Sequence, residues 1–447
     1  MTRHVHLNLF VSGYGYHEAS WKVSGLETPG LLGLEHFANI ARLAERGVLD
    51  SLFFADSPGV APFRPRFMAQ AGYDPVDLLA ALVPVTGHIG LLATASTTYS
   101  SPWDLARRFA TLDHLSKGRA GWNIVTTGNP IAAGNFADRP HPRHEDRYRR
   151  AQEFVEVVLK VWDGWDDDAV VASIERGIWA DRDRLHPPDH RGESFSVAGI
   201  LPLPRSPQGY PVLAQAGSSS AGVDLAGRFA DVVFSPQPSI EAGVAFRGRV
   251  RSAAESFGRS PDDIRALPGL SFLLGSTQAE ATAGWDALEQ ASSDEFQRLN
   301  LTQIAGVDPA LAADVDPDGP FPYHLFENGV GTTFGSAVNR TAREGDLTFR
   351  QVAAKMSTLP GGLHFTGTPE GLADLIETWW RREAADGFTL QPLRLPIDAE
   401  LFVDHVVPLL QRCGIARREY SSGTLRDRLG LRRPANQHLR SAIAPSR

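Results

Sequence analysis

A chain of 447 residues, 42% apolar and 21% charged, has the composition of an ordinary globular protein and is long enough to bury a large core. Its formal net charge of -8 offers nothing to nucleic acid or an anionic membrane surface, and no stretch is long and apolar enough to span a bilayer, so a cytoplasmic protein is expected. Cys413 is the only cysteine, which excludes an internal disulfide, a thiolate metal cluster and a Cys-x-x-Cys redox pair and leaves it to be read as a packed side chain.

The first strand candidate, HVHLNLF (4–10), is followed by GYGYHEASW (13–21), which gathers Tyr14, Tyr16, His17 and Trp21 just past the strand's end. LEHFANIARLAERG (34–47) then sets Phe37, Ile40, Ala41, Leu43 and Ala44 at helical spacing and stops at Gly47. SLFFADS (51–57), IGLLATAST (89–97) and RAGWNIVTT (119–127) are further strands, the last entered from the helical DLARRFATLDHLSKGR (104–119). PVLAQAGSS (211–219), ADVVFSP (231–237), LPGLSFLLGS (267–276) and GFTLQPLRL (387–395) complete the set, with the helical SAGVDLAGRFA (220–230) leading into the sixth. Eight strands alternating with helices predict an α/β fold, a TIM (β/α)8 barrel in preference to an open doubly wound sheet. Two intervals exceed one crossover. Read as a single domain, 1–447, the barrel carries insertions between strands 4 and 5, at approximately 163–210, and between strands 7 and 8, at 277–386.

Ligands of such barrels sit where the strands end. Those ends are hydroxyl-rich and carboxylate-poor: Asp56, Thr94, Ser96, Asn123, Thr126, Thr127, Ser218 and Ser219. The two opposed carboxyls of a glycosidase are not there, since only Asp56 qualifies, with Glu18 a distant second. A metal-dependent barrel hydrolase would need imidazoles at this face, whereas His4-Val5-His6 opens its strand and belongs to the opposite end. His186 and His190 flank Pro187-Pro188, which denies them helical ligand spacing.

HPRHEDRYRRAQEFVEVVLKVW (141–162) repeats Tyr148, Ala151, Val155, Val158, Leu159 and Trp162 at three and four residues, so one face of a long helix is buried. Its first turn holds His141, Arg143, His144 and Arg147 where the helix dipole is already positive, a combination that favours a bound anion, although Glu145 and Asp146 partly compensate. QAGSSSAG (215–222) is a second anion signal: Gly217 permits close backbone approach, the serines offer hydroxyls, and the following helix offers unpaired amides. A G-x-G-x-x-G turn is missing, because Gly13-Tyr14-Gly15 lacks the third glycine, and Lys117-Gly118 lacks a P-loop. A phosphate monoester with a flat apolar body, such as FMN, fits better than a dinucleotide or a nucleoside triphosphate.

In order along the chain, FFADS, ATASTTY, LDHLSKGRAGWNIVTT, HEDRYRRAQEFVEVVLKVWD, QAGSSSAG and EYSSGTLRDRLGLRRP resemble the bacterial-luciferase-like FMN-dependent monooxygenases. Within them the resemblance is to the branch of nitrilotriacetate, dibenzothiophene-sulfone and long-chain alkane monooxygenases, and it covers nearly the whole chain. It implies a TIM barrel using reduced FMN, supplied by a separate NAD(P)H:flavin reductase, with O2, to oxygenate a small aminopolycarboxylate-, sulfone- or alkane-like molecule. A homo-oligomer is expected. Carried over by position, Asp56 and Thr94 would contact the flavin ring region, and His144, Tyr148, Ser218 and Ser219 would hold the ribityl phosphate. Asn123 and the threonines of GWNIVTT (121–127) would lie beside the isoalloxazine, with Trp122 and Ile124 on the other side of the strand. Some relatives follow the two hydroxyl residues with a histidine that reaches the flavin; this chain has Gly128.

His17, as an imidazole able to give or take a proton, is the candidate proton donor, with His364 second. FPYHLFENGVGTTFG (321–335) is the candidate lid, and Arg64 and Arg66 either meet an anionic substrate or are solvated loop charges. A deazaflavin-dependent oxidoreductase, a metal-dependent hydrolase and a non-catalytic flavin carrier are the competing readings.

Overall fold

The computed structural model describes residues 4–25, 30–136, 140–326, 333–357 and 361–439. All eight expected strands form: β1 (His6–Phe10), β2 (Ser51–Phe54), β3 (Gly90–Ser96), β4 (Ala120–Val125), β5 (Val212–Ala216), β6 (Val232–Phe234), β7 (Gly269–Leu274) and β8 (Gly387–Pro392). They pair in parallel in the order β6-β5-β4-β3-β2-β1-β8-β7. Arg265–Ala266, just ahead of β7, pairs with β6, so the stretch 265–274 touches both ends of the ladder and the sheet curls round on itself. The strands are short, apolar runs because both of their faces are covered.

The covering helices follow from periodicity and capping. α1 (Leu34–Arg46) buries Phe37, Ile40, Ala41, Leu43 and Ala44, as their spacing predicts. α2 (Pro102–Leu115) begins on Pro102, whose fixed φ suits a first helical position. α3 (His144–Trp162) buries Ala151, Phe154, Val155, Val158 and Trp162. Trp122 points outward from β4 into the space between α2 and α3, with its ring 5.9 Å from Phe109, 5.9 Å from Phe154 and 6.4 Å from Trp162. α4 (Ser220–Phe229) separates β5 from β6.

The two long intervals differ in kind. After α3 come two antiparallel hairpins, Val170–Ser173 with Ile178–Ala180 and His190–Arg191 with Ser196–Val197. Beyond β7 lies a helical segment that includes α5 (Asp294–Ala305) and has its own apolar cluster of Leu301, Phe321, Phe326, Phe349, Val352 and Met356. That segment also adds a ninth parallel strand, Leu363–Gly367, which pairs along β7 and was not expected. Five residues after a Gly-Gly pair carry too little alternation to mark it. Of the lid candidate 321–335, residues 327–332 lie outside the described residues, and Phe321 and Phe326 are buried in the cluster.

At the strands' N-terminal ends the tail closes the barrel from below. Leu425, Leu429 and Leu431 pack against Phe53, Leu92, Val212, Val232 and Leu267. Arg426, 4% exposed, makes a two-pronged ion pair with Asp231 at 2.7 and 3.0 Å. His6 is here too, its Nδ1 3.2 Å from Asp50 Oδ1, and Arg417 pairs with the same carboxylate. His4-Val5-His6 thus serves the closed end. Cys413, expected to be packed, is exposed at the end of a short helix. Among the described residues no helix is long and apolar enough to cross a membrane.

Candidate functional site

The strands' C-terminal ends open into two adjoining cavities that share Asp56, Ser57 and Asn129. The larger, about 440 Å³, has apolar walls from Phe10, Phe54, Trp21 and Met68 and polar groups from His17, Arg64 and Gln303. The smaller, about 250 Å³, lies among Thr126, Thr127, Tyr148 and Gln215.

The smaller cavity touches both anion-signal segments through Tyr148, Gln215 and Ala216, while His144, Ser218 and Ser219 lie outside its lining. A Cβ placed on Gly217 would lie 3.7 Å from the Tyr148 hydroxyl, and one on Gly222 3.3 Å from it, so the α3 phenol reaches the turn before α4. Gly217 has φ +147°, a conformation that L side chains rarely adopt. Ser219 caps α4, its Oγ accepting from Gly222 N at 3.1 Å, and Ser218 is half-buried beside it. His144, exposed, holds its ring 4.7 Å from that of Tyr148. No side chain caps α3, which leaves its first amides free for an anion. Asp146 is engaged by both Arg143 and Arg149, leaving it no share for Arg147, which donates to the Pro142 carbonyl. The sequence reading missed Gln215. It is 2% exposed, its Nε2 donates to Ala216 O, and its Oε1 has no partner. Its place in QAGSSSAG, one residue from the strand end, was the available signal.

Thr94 and Asn123 sit deeper, each 3% exposed. They face one another across β3 and β4, and Asn123 Nδ2 donates to Thr94 Oγ1 at 2.9 Å. Neither lines the two cavities described, yet Asn123 Oδ1 is buried without a partner. The neighbouring hydroxyls are occupied in shaping the strand ends: Thr127 Oγ1 donates to Ser96 Oγ at 2.7 Å, and Thr98 Oγ1 to Thr126 O at 2.9 Å. Asp56 is open to both cavities; partial desolvation, then the nearby Asp74 carboxylate, raises its carboxyl above the ordinary range.

The loop after β1 forms the far wall of the larger cavity. Gly15 presses on the end of β8, where a Cβ would fall 2.0 Å from the Leu393 carbonyl oxygen. The loop so fixed places His17, 1% exposed, between two carboxylates, Nδ1 3.4 Å from Glu18 and Nε2 3.4 Å from Glu289. Trp285 separates it from His364, with ring centroids 6.1 and 4.9 Å away. Burial pushes the Tyr16 phenol up to about 12, opposed by hydrogen bonding to Gln391 and by the Arg64 charge. The two arginines part company: Arg66 pairs with Glu295 at the surface, while Arg64 lines the cavity.

Comparison with known proteins agrees with this geometry. The family model for the luciferase-like monooxygenases matches residues 16–386. The N-acetyl-S-(2-succino)cysteine monooxygenase of Bacillus subtilis (strain 168) is 40% identical over 98% of this chain and 98% of its own. Nitrilotriacetate monooxygenase component A of Aminobacter aminovorans is 40% identical over 94% and 95%. Among solved structures, a riboflavin lyase with modified FMN and riboflavin superposes with a TM-score of 0.84 at 31% identity, covering 97% of each chain. A curled parallel sheet matched over nearly its whole length by such enzymes places this chain in the luciferase-like monooxygenase family, as an oxidoreductase.

Proposed function

We propose that the chain is the oxygenating component of a two-component system. It takes reduced FMN from a separate cytoplasmic NAD(P)H:flavin reductase and uses O2 to oxygenate a small organic molecule. The observation that carries this is the meeting of Tyr148 with the 215–222 turn, beside a small polar cavity that adjoins a larger chamber of mixed polar and apolar lining. The residues suit FMN: Gly217 leaves a cradle that a Cβ would narrow, and the unpartnered Gln215 Oε1 and Asn123 Oδ1 are polar atoms still to be satisfied. His144, Tyr148, Ser218 and Ser219 would hold the phosphate, with Asp56, Thr94 and Asn123 toward the ring. The name of the Aminobacter relative, a component A, supports a division of labour with a partner.

Bound reduced flavin supplies the electrons that activate dioxygen. The chain contributes enclosure and orientation: Phe10, Phe54 and Trp21 give the chamber an apolar side, and His17, at its wall with Nδ1 accepting from the Ala19 amide and Nε2 facing Glu289, would hold a proton at Nε2. No glycine-rich dinucleotide turn is present for a nicotinamide.

The test is turnover with and without a reductase. The purified chain with NAD(P)H, FMN and oxygen should oxidise negligible NAD(P)H. Adding any reductase that releases free reduced FMN should bring substrate-dependent oxygenation. Rapid NADH oxidation by the chain alone would overturn the two-component reading. Anaerobic titration with reduced FMN and with reduced deazaflavin separates the flavin from its nearest rival.

A further inference from the structure

We infer that the larger cavity selects substrates bearing a carboxylate, and that Arg64 is the residue that recognises it. This rests on the flavin reading only in taking the cavity as the place where substrate lies. Arg64 is largely buried, yet its guanidinium is held by neutral oxygens alone: Nε donates to Gln303 Oε1 at 3.3 Å, and Nη2 to Asn300 Oδ1 at 3.1 Å and to Gln303 Oε1 at 3.3 Å. Nη1 has only the Met68 sulfur, 3.9 Å away. Two amide oxygens fix the plane of the guanidinium and no carboxylate is hydrogen-bonded to it, so that Glu18 offsets its charge only through space, as a fork kept for an anion would require.

The chamber's own carboxylates do not fill that role. Glu18, 6% exposed, is bonded to Ser292 and faces His17, and Asp56 stands at the opening shared with the smaller cavity. Arg66, two residues on, shows the alternative arrangement, a surface arginine satisfied by Glu295. Burial also depresses the Arg64 pKa, the sign of a cation lacking full compensation. Both supporting amides come from α5, so the segment between β7 and β8 sets the orientation of the fork.

Isothermal titration of the FMN-loaded protein with thiodiacetate, iminodiacetate and succinate, each beside its dimethyl ester, tests the inference. At least one diacid should bind, roughly ten-fold or more tighter than its ester. Arg64→Gln should abolish that preference while leaving ester and FMN affinities unchanged, and Arg64→Lys should restore part of it. Equal binding of acid and ester, an unchanged preference in Arg64→Gln, or no binding by any diacid would each overturn the assignment. FMN affinity, read in the same samples, reports separately on the flavin reading.

Discussion

Tyr148 joins two stretches of chain that share no pattern in sequence, the cationic start of α3 and the serine turn before α4. Its hydroxyl is the single atom by which each of the two weak anion signals can be judged. If it meets the phosphate, Tyr148→Phe should weaken FMN by roughly ten-fold and leave riboflavin, which has no phosphate, nearly unaffected. His144→Ala should follow the same pattern more weakly, because the imidazole is exposed. Competitive titration of both flavins under anaerobic conditions is the measurement, and equal losses for the two would remove the phosphate assignment. Ser219 is a poorer probe, since its Oγ also caps α4 and a change there confounds binding with helix stability.

At the scale of elements, what was legible in the sequence followed from period and punctuation. β4 was readable as a buried strand with Trp122 on one face and Asn123 on the other, because alternation alone assigns the sides. The Thr94–Asn123 bond was not, since register between strands is set by the whole sheet rather than by either segment. Arg64 and Arg66 look alike as letters; only the helix α5, over two hundred residues away, separates their roles. The tail was recognisable by resemblance, yet nothing in its spacing says that its leucines enter a barrel. Arg426 anchors that tail, and Arg426→Met would leave the buried Asp231 only the more distant Arg259, 3.8 Å away, and the Leu213 amide. A loss of about 3 kcal/mol, read as a fall in the urea midpoint with an unchanged slope, is expected.

For the whole molecule, the closed end holds a buried carboxylate whose ionisation supports the fold. Burial alone would raise the Asp50 carboxyl, but Arg417, His6 and the Leu7 amide outweigh it and hold the group down at about 2, below its ordinary 3.8. A folded-state value below the unfolded one means that the ionised group stabilises the fold at every pH above about 4. That contribution, about 2 kcal/mol, is lost as pH falls toward about 2. Thermal midpoints at pH 5 and pH 3.5 should therefore fall more in the native chain than in Arg417→Met, which begins less stable and has less to lose. Parallel falls would place the acid sensitivity elsewhere.

The leucines that stopper the barrel come from residues translated after all eight strands. Until those residues are in place, Asp231 lacks Arg426 and keeps Arg259 at 3.8 Å, and Asp50 lacks Arg417 and keeps His6. Sealing of the barrel therefore waits for the tail, and a chain stalled or nicked before residue 417 would carry the groups of the mouth without the leucines and arginines that close the opposite end.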